Sequence, residues 1–318
     1  MNRIPPLKDN PAIGKLLIAV GVVILSLIVF TFLSLIVAVL VYNVKLDQLM
    51  DPLHNIKEPG ILSSLTLMQT ISSIGGFILP AFFLAFLMNE NVFSYLRLNR
   101  LALLNSFVLI AIMILTLTPF INWLMELNGR LVLPQFMHGI EQWMHKSEDD
   151  NAQLTKYFLD MHSFKDVLFN LVMIALIPAI GEELLFRGVL QRILRELFKN
   201  HHVAIFVSAA LFSALHMQFF GFVPRMLLGV LFGYLLVWSG SLWLPILGHF
   251  INNGAAVVFT YLFQNQLSNI DPDKIGTESN QWIETIISGL IMIGIMLVIR
   301  KIEKKRRENE LVNIEFEA

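Results

Sequence analysis

Apolar residues along the chain gather into eight long runs separated by polar stretches: 16–42, 61–88, 101–125, 167–187, 202–219, 222–239, 242–263 and 283–299. A helix needs about 20 apolar residues to cross a hydrocarbon layer about 30 Å thick, and in lipid only helices or closed barrels satisfy their own backbone. The runs therefore predict an all-α polytopic membrane protein with about eight transmembrane helices. The first run, Leu16 to Tyr42, is too long for a signal-peptide core and has no small-x-small cleavage site after it, so it reads as a retained span. In the long 128–166 connection, Phe136, Met137, Ile140, Trp143 and Met144 recur at the spacing of one helical face. That pattern predicts an amphipathic helix lying on the outer leaflet. No internal repeat or low-complexity linker divides residues 1–318, which read as a single membrane domain. Pro80 and Pro119 against Pro178 and Pro245 do not form the paired broken spans of an inverted-repeat transporter.

Composition agrees with a lipid-solvated fold: 56% of residues are hydrophobic and 15% charged, where soluble domains carry about 25% charged residues. A net charge of −1 provides no global basic field, which argues against a nucleic-acid partner. The absence of cysteine removes thiol catalysis, disulfides and thiolate metal sites. Charge placement sets the expected orientation, because lysine and arginine collect on the cytoplasmic side. Arg3, Lys8 and Lys15 precede the first span; Arg97 and Arg100 lie in the 89–100 loop; Arg192, Arg195 and Lys199 lie in 188–201. Residues 300–318 form a basic tail beginning with Arg300, Lys301, Lys304, Lys305, Arg306 and Arg307. The acidic Glu148-Asp149-Asp150 cluster and the 264–282 loop, with Asp271, Asp273 and Glu278, fall on the opposite side. Both termini are expected in the cytoplasm of an integral protein of the cell membrane.

Polar residues inside the spans are few. Six of the eight histidines lie in polar segments or at span edges, leaving His216 and His249 within apolar runs. Glu182 and Glu183 follow the run 171–180. A charge at the centre of a span costs about 2.5–3.5 kcal/mol or more, so such residues face a cavity or a partner. Glu183 and Arg187 are four apart and share a helical face, which suits a self-neutralising structural pair. Glu182 points about 100° away and lacks a local partner, so its expected partner is His216 or His249 on another span. Either histidine alone reads as a satisfied core residue. Together with Glu182 and Asn253, which shares a face with His249, they supply a base, a water-orienting group and oxyanion donors.

These residues carry a resemblance. Glu182-Glu183-Leu-Leu-Phe-Arg187 resembles an E-E-x-x-x-R motif, Phe212-Ser-Ala-Leu-His216 an F-x-x-x-H motif, and His249-Phe-Ile-Asn-Asn253 an H-x-x-x-N motif, in order and in separate spans. Leu228-Gly-Val-Leu-Phe-Gly-Tyr and Ser239-Gly-Ser-Leu-Trp-Leu-Pro245 have the same family's look. The family is CPBP, named for CAAX and bacteriocin processing and also called Abi, and the similarity covers a core at 165–260. Neither H-E-x-x-H nor G-x-G-D, signatures of other intramembrane proteases, occurs. The resemblance implies an intramembrane endopeptidase acting on a membrane-associated protein or peptide. It implies that Glu182 and His216 activate water and that His249 and Asn253 stabilise the oxyanion. Glu183, Arg187 and Phe212 would support the site. The family has also been classed as metalloproteases, and Glu182, His216 and His249 would make an acceptable zinc set. A metal-free site is preferred, because Asn253 beside His249 suits donation to an oxyanion. The alternatives are a non-catalytic immunity or scaffold protein of the same fold and, more remotely, a proton-coupled transporter.

One expectation is in tension with the span boundaries. With the N-terminus inside, Glu182 falls near the cytoplasmic end of its span and His216 far along the next, an offset on the order of 10 Å at 1.5 Å per residue. The two meet only if Gly188 to Phe198 continues the fourth span, or if the fifth is steeply tilted.

Overall fold

A computed structural model describes residues 5–278 and 280–317, with the side chains of 273 and 311–317 left out. Arg3, the side chain of Asp273 and the end of the expected basic tail lie outside the described residues. The apolar runs become ten principal helices: α1 (Ala12–Tyr42), α2 (Ile61–Met88), α3 (Leu104–Thr116), α4 (Thr118–Gly129), α5 (His138–Phe158), α6 (Phe164–Phe198), α7 (His201–Ala214), α8 (Phe222–Ser239), α9 (Trp243–Gln264) and α10 (Trp282–Glu317). There is no strand among the described residues. Among the described residues six helices are long and apolar enough to cross a membrane, and a seventh crossing is made if α3 and α4, bent by 48° to one another, form one span. The remaining expected span, 202–219, is the 14-residue α7, which at about 1.5 Å per residue reaches only about 21 Å.

Three prolines shape the bundle. Proline has no N–H, so each leaves a carbonyl about one turn earlier without its helical partner, and lipid offers no substitute. At Pro80 the chain forms a π turn over Ile74–Ile78, and the Gly75 carbonyl accepts instead from Ser26 Oγ of α1 at 2.8 Å. Gly75 is required here, because a Cβ would lie 1.9 Å from Phe30 Cγ. At Pro119 the bend leaves Thr116 O to accept from Ser288 Oγ of α10 at 2.6 Å. At Pro178, after the π turn Leu171–Leu176, the Ile174 carbonyl accepts from Asn253 Nδ2 of α9 at 3.2 Å.

Helix α6 removes the offset expected from the sequence. It runs on past Arg187 to Phe198 and turns at Lys199, φ 52°. Asn200 then caps α7 by accepting from the N–H of His202 at 2.8 Å. Glu182 stands about 24 Å from that turn and His216 about 22 Å, so the antiparallel pair brings them level. His216 is not within a helix as expected. It lies in the turn after Ala214, closed by Met217 in the left-handed region at φ 53°.

One end of the bundle gathers both ends of the described chain. Lys8 pairs with Glu90 at 3.2 Å and Lys15 with Glu196 at 2.8 Å. Ser241 Oγ donates to Arg100 O at 2.7 Å, and Arg306 Nη2 to Ser239 O at 2.6 Å. The basic stretch from Arg300 to Glu310 is therefore a continuation of α10 packed on the bundle, not a free tail. At the other end α5 crosses over the turn that follows His216. Trp143 packs on Phe219 with ring centres 5.2 Å apart, Ser147 Oγ donates to Met217 O, and Glu148 accepts from the N–H of Phe220. Phe136 and Met137 of the expected amphipathic face fall in a preceding 3-10 turn, and Phe136 is exposed.

Candidate active site

The site forms where two apolar clusters meet. Leu84, Leu184, Phe186, Phe212 and Ile246 belong to one, and Ile110, Met113, Phe232 and Leu244 to the other. His249, on the second turn of α9, lies between them: the Phe212 ring meets it edge-on with centres 5.9 Å apart, and the Phe232 ring stacks on it at 5.6 Å. The close approach of α8 depends on Gly229, where a Cβ would lie 2.9 Å from that of Ala209 and 3.1 Å from Arg187 Nη2.

Glu183 and Arg187 are fully buried and share an ion pair, with Arg187 Nη1 donating to Glu183 Oε1 at 2.8 Å. Arg187 Nη2 donates to the Gly229 carbonyl at 3.1 Å, and its guanidinium lies over the Phe212 ring at 4.6 Å. The same Glu183 Oε1 accepts from His249 Nδ1 at 2.9 Å. The sequence pointed only to the i,i+4 partner; the second comes from a residue 66 positions away, which helical periodicity does not reveal.

Glu182 faces elsewhere. Its Oε2 lies 3.9 Å from His216 Nε2 and 3.8 Å from His249 Nε2 and has no hydrogen-bond partner. Both separations exceed a direct hydrogen bond. His216 Nδ1 is 2.8 Å from the Phe212 carbonyl, which can only accept, so Nδ1 carries the proton and Nε2 of the neutral ring turns its lone pair toward Glu182. The site is most exposed at His216, whose side chain is 31% exposed against 15% for Glu182. Arg225 of α8, held by Gln218 Oε1 at 2.6 Å, is a further cation within electrostatic reach of Glu182. It stands at the start of a span, where basic residues are ordinary, and its sequence position carries no signal of this.

The structure thus brings together Glu182, Glu183, Arg187, Phe212, His216 and His249. Asn253 lies one turn beyond His249, with one amide hydrogen engaged by Ile174 O and its Oδ1 accepting from Asn252 Nδ2 at 3.1 Å. Among the described residues no three His, Cys, Asp or Glu side chains converge as a ligand set for a metal ion.

Residues 164–255 match the Rce1-like family, described as type II CAAX prenyl endopeptidase Rce1-like. An uncharacterized protein of Bacillus subtilis, YpbD, is 27% identical over 117 residues, which are 36% of this chain and 55% of that protein. The chain thus covers about half the length of that curated relative. No solved structure matches.

Proposed function

The chain belongs to the CPBP family through its Rce1-like region, and on that premise we propose that it is an intramembrane endopeptidase that hydrolyses a peptide bond of a membrane-associated protein or peptide, as CAAX-type proteases do. One observation carries the reading: a carboxylate oxygen without a hydrogen-bond partner, Glu182 Oε2, flanked by two imidazole Nε2 atoms at 3.8 and 3.9 Å. On this reading the attacking water takes its place within hydrogen-bond reach of both Glu182 and His216 when the side chains part around the substrate. Glu182 takes a proton from the water while His216 Nε2 accepts its second hydrogen and aims the oxygen at the scissile carbonyl carbon. The new C–O bond places negative charge on the carbonyl oxygen. His249 Nε2–H and the free amide hydrogen of Asn253 donate to it. Glu182 then returns the proton to the amide nitrogen, the C–N bond breaks, and the remaining hydroxyl proton passes to the freed amine, so that a carboxylate and an ammonium group leave. Glu183 holds His249 by Nδ1 and is itself held by Arg187. A His249 protonated on both nitrogens would, with Arg187, balance the charges of Glu182 and Glu183.

The same ring anchoring favours a second reading. Neutral His216 and His249, each fixed through Nδ1, turn their Nε2 lone pairs toward Glu182, as zinc ligands are fixed by outer partners. As they stand the three do not converge as a ligand set, so this reading requires Glu182 and the two rings to close together; an ion held there would polarise the carbonyl and acidify the water. Both readings are tested on purified protein with a membrane-peptide substrate. Product found by mass spectrometry with wild type and lost in Glu182→Gln supports the peptidase. No product from the folded wild type with any membrane peptide would leave a non-catalytic scaffold. Activity that survives exhaustive chelation favours the metal-free route, and loss restored by zinc overturns it.

The orientation belongs to the same proposal. Both ends of the described chain, the arginine-bearing loops and the start of α10's basic extension share one end of the bundle, and we place that end in the cytoplasm by the positive-inside rule.

A further inference from the structure

A cavity of about 380 Å³ opens at the arginine-bearing end of the bundle; Arg187 lines it and Glu182 does not. Its lining includes seven arginines, drawn from the 89–103 loop, from α6 and from α10, and no acidic side chain. Two of the seven are neutralised: Arg187 by Glu183, and Arg306 by Glu303 and Glu310. The carboxylate of neighbouring Glu196 is taken by Lys15. Among the described residues, Arg97, Arg100, Arg192, Arg195 and Arg307 form no ion pair with a carboxylate within 4.0 Å.

These five are positioned, not merely scattered over a basic face. Arg192 donates to Tyr95 O at 2.9 Å and lies over the Tyr95 ring at 4.1 Å. Arg97 sits at φ 59°, a left-handed conformation that a side chain with a Cβ adopts only under constraint. Burial, and after it the charges of Arg192, Arg100, Arg195 and Arg307, hold the Arg97 guanidinium below its usual range. Arg307 Nε is buried without a hydrogen-bond partner. Converging like charges of this kind are unfavourable unless an anion joins them. On one side the wall is apolar, formed by Ala204, Leu236 and Val237.

We propose that this cavity binds a phosphate-bearing anion, with the headgroup of an anionic membrane phospholipid as its source. Arginine forks match phosphate oxygens. The position at the water-facing end of the bundle and the apolar wall suit an amphiphile over a free ion, and the volume lies in the range of small-ligand sites, about 300–1,000 Å³. The proposal does not depend on the peptidase reading.

The test uses the full chain in neutral detergent, with Arg97→Gln, Arg195→Gln and the double variant. Native mass spectrometry measures binding of phosphatidylglycerol and phosphatidylcholine, and thermal melts are recorded with each lipid and with pyrophosphate. Phosphatidylglycerol should bind at least about tenfold more tightly than phosphatidylcholine, and each substitution should weaken it by about tenfold, as expected for a lost charged hydrogen bond. Without anion, Arg97→Gln should melt above wild type, because repulsion is relieved; with phosphatidylglycerol that order should reverse. Stabilisation by pyrophosphate with the same arginine dependence, and none by phosphatidylglycerol, would keep the anion site and make its source a soluble phosphate. Equal binding of the two lipids with pyrophosphate silent, or variants that bind phosphatidylglycerol like wild type, would overturn the proposal.

Discussion

Replacing Glu183 with glutamine isolates the part of the site that holds the fold together. The substitution keeps the size of the side chain and removes the charge that Arg187 Nη1 and His249 Nδ1 share at 2.8 and 2.9 Å. Arg187 is 1% exposed and cannot reach water. Removing one partner of a buried pair costs about 3–5 kcal/mol, because a charge is left uncompensated. The Phe212 and Phe232 rings at 4.6 and 5.7 Å and the Gly229 carbonyl at 3.1 Å shelter the guanidinium in part, so the lower end, about 3 kcal/mol, is expected. At roughly 2 °C per kcal/mol for a chain of this size, the melting temperature should fall by about 6 °C. Glu182→Gln should leave it nearly unchanged, since the Oε2 that faces the histidines accepts no hydrogen bond.

Thermal melts of purified protein, followed by tryptophan fluorescence, measure both variants, and Arg187→Met with the Glu183→Gln/Arg187→Met double variant completes a cycle. If the pair acts as a unit, the double variant is more stable than additivity predicts, with a coupling on the order of 2–3 kcal/mol. Strict additivity, or a Glu183→Gln protein that melts like wild type while Glu182→Gln collapses, would refute the assignment of structural and chemical roles to the two glutamates.

Two further outcomes follow from packing and topology. Gly229→Ala should destabilise by about 1–3 kcal/mol by overpacking against Ala209 and Arg187, whereas Gly21→Ala, where an added Cβ meets nothing within 4 Å, should not; equal melts for the two would show that α7 and α8 yield at that contact. Reporter fusions at residues 1 and 318 should both report the cytoplasm, and opposite signals would contradict the shared end of the bundle.

Much of this site is legible in the sequence because its chemistry is local. Glu182, His216 and His249 stand out as charges and imidazoles inside apolar runs, and three ordered motifs tie them together. What the sequence hides is set by tertiary partners. A hydropathy reading ends the fourth span at Arg187, because Gln191, Arg192 and Arg195 look like a loop. The helix continues because Arg192 lies over the Tyr95 ring and Gln191 Nε2 donates to Gly233 O at 3.3 Å, so these polar side chains find partners on a buried face even though Gln191 Oε1 has none. The same reading extends the fifth span to 219, since Phe219 and Phe220 are apolar. Those residues instead pack under α5, against Trp143 and His145.

Asn253 poses the sharpest question, because one side chain has two tasks. Ser26 and Ser288 cover the carbonyls left near Pro80 and Pro119, and Asn253 does the same for Ile174 before Pro178. Only the last of these cover groups stands beside the proposed reaction centre. Asn253→Ala should therefore cost about 1–3 kcal/mol through the stranded carbonyl, and turnover about 10²–10³-fold if the free amide hydrogen serves the oxyanion. Pro178→Ala separates the two effects. An alanine there restores an N–H one turn after Ile174, so that carbonyl regains a partner inside its own helix. In the Pro178→Ala background, Asn253→Ala should no longer lower the melting temperature, yet turnover should stay low while KM changes little, since an oxyanion donor acts in the transition state. Recovery of turnover together with stability would make Asn253 a structural cover alone and leave His249 as the donor to the oxyanion.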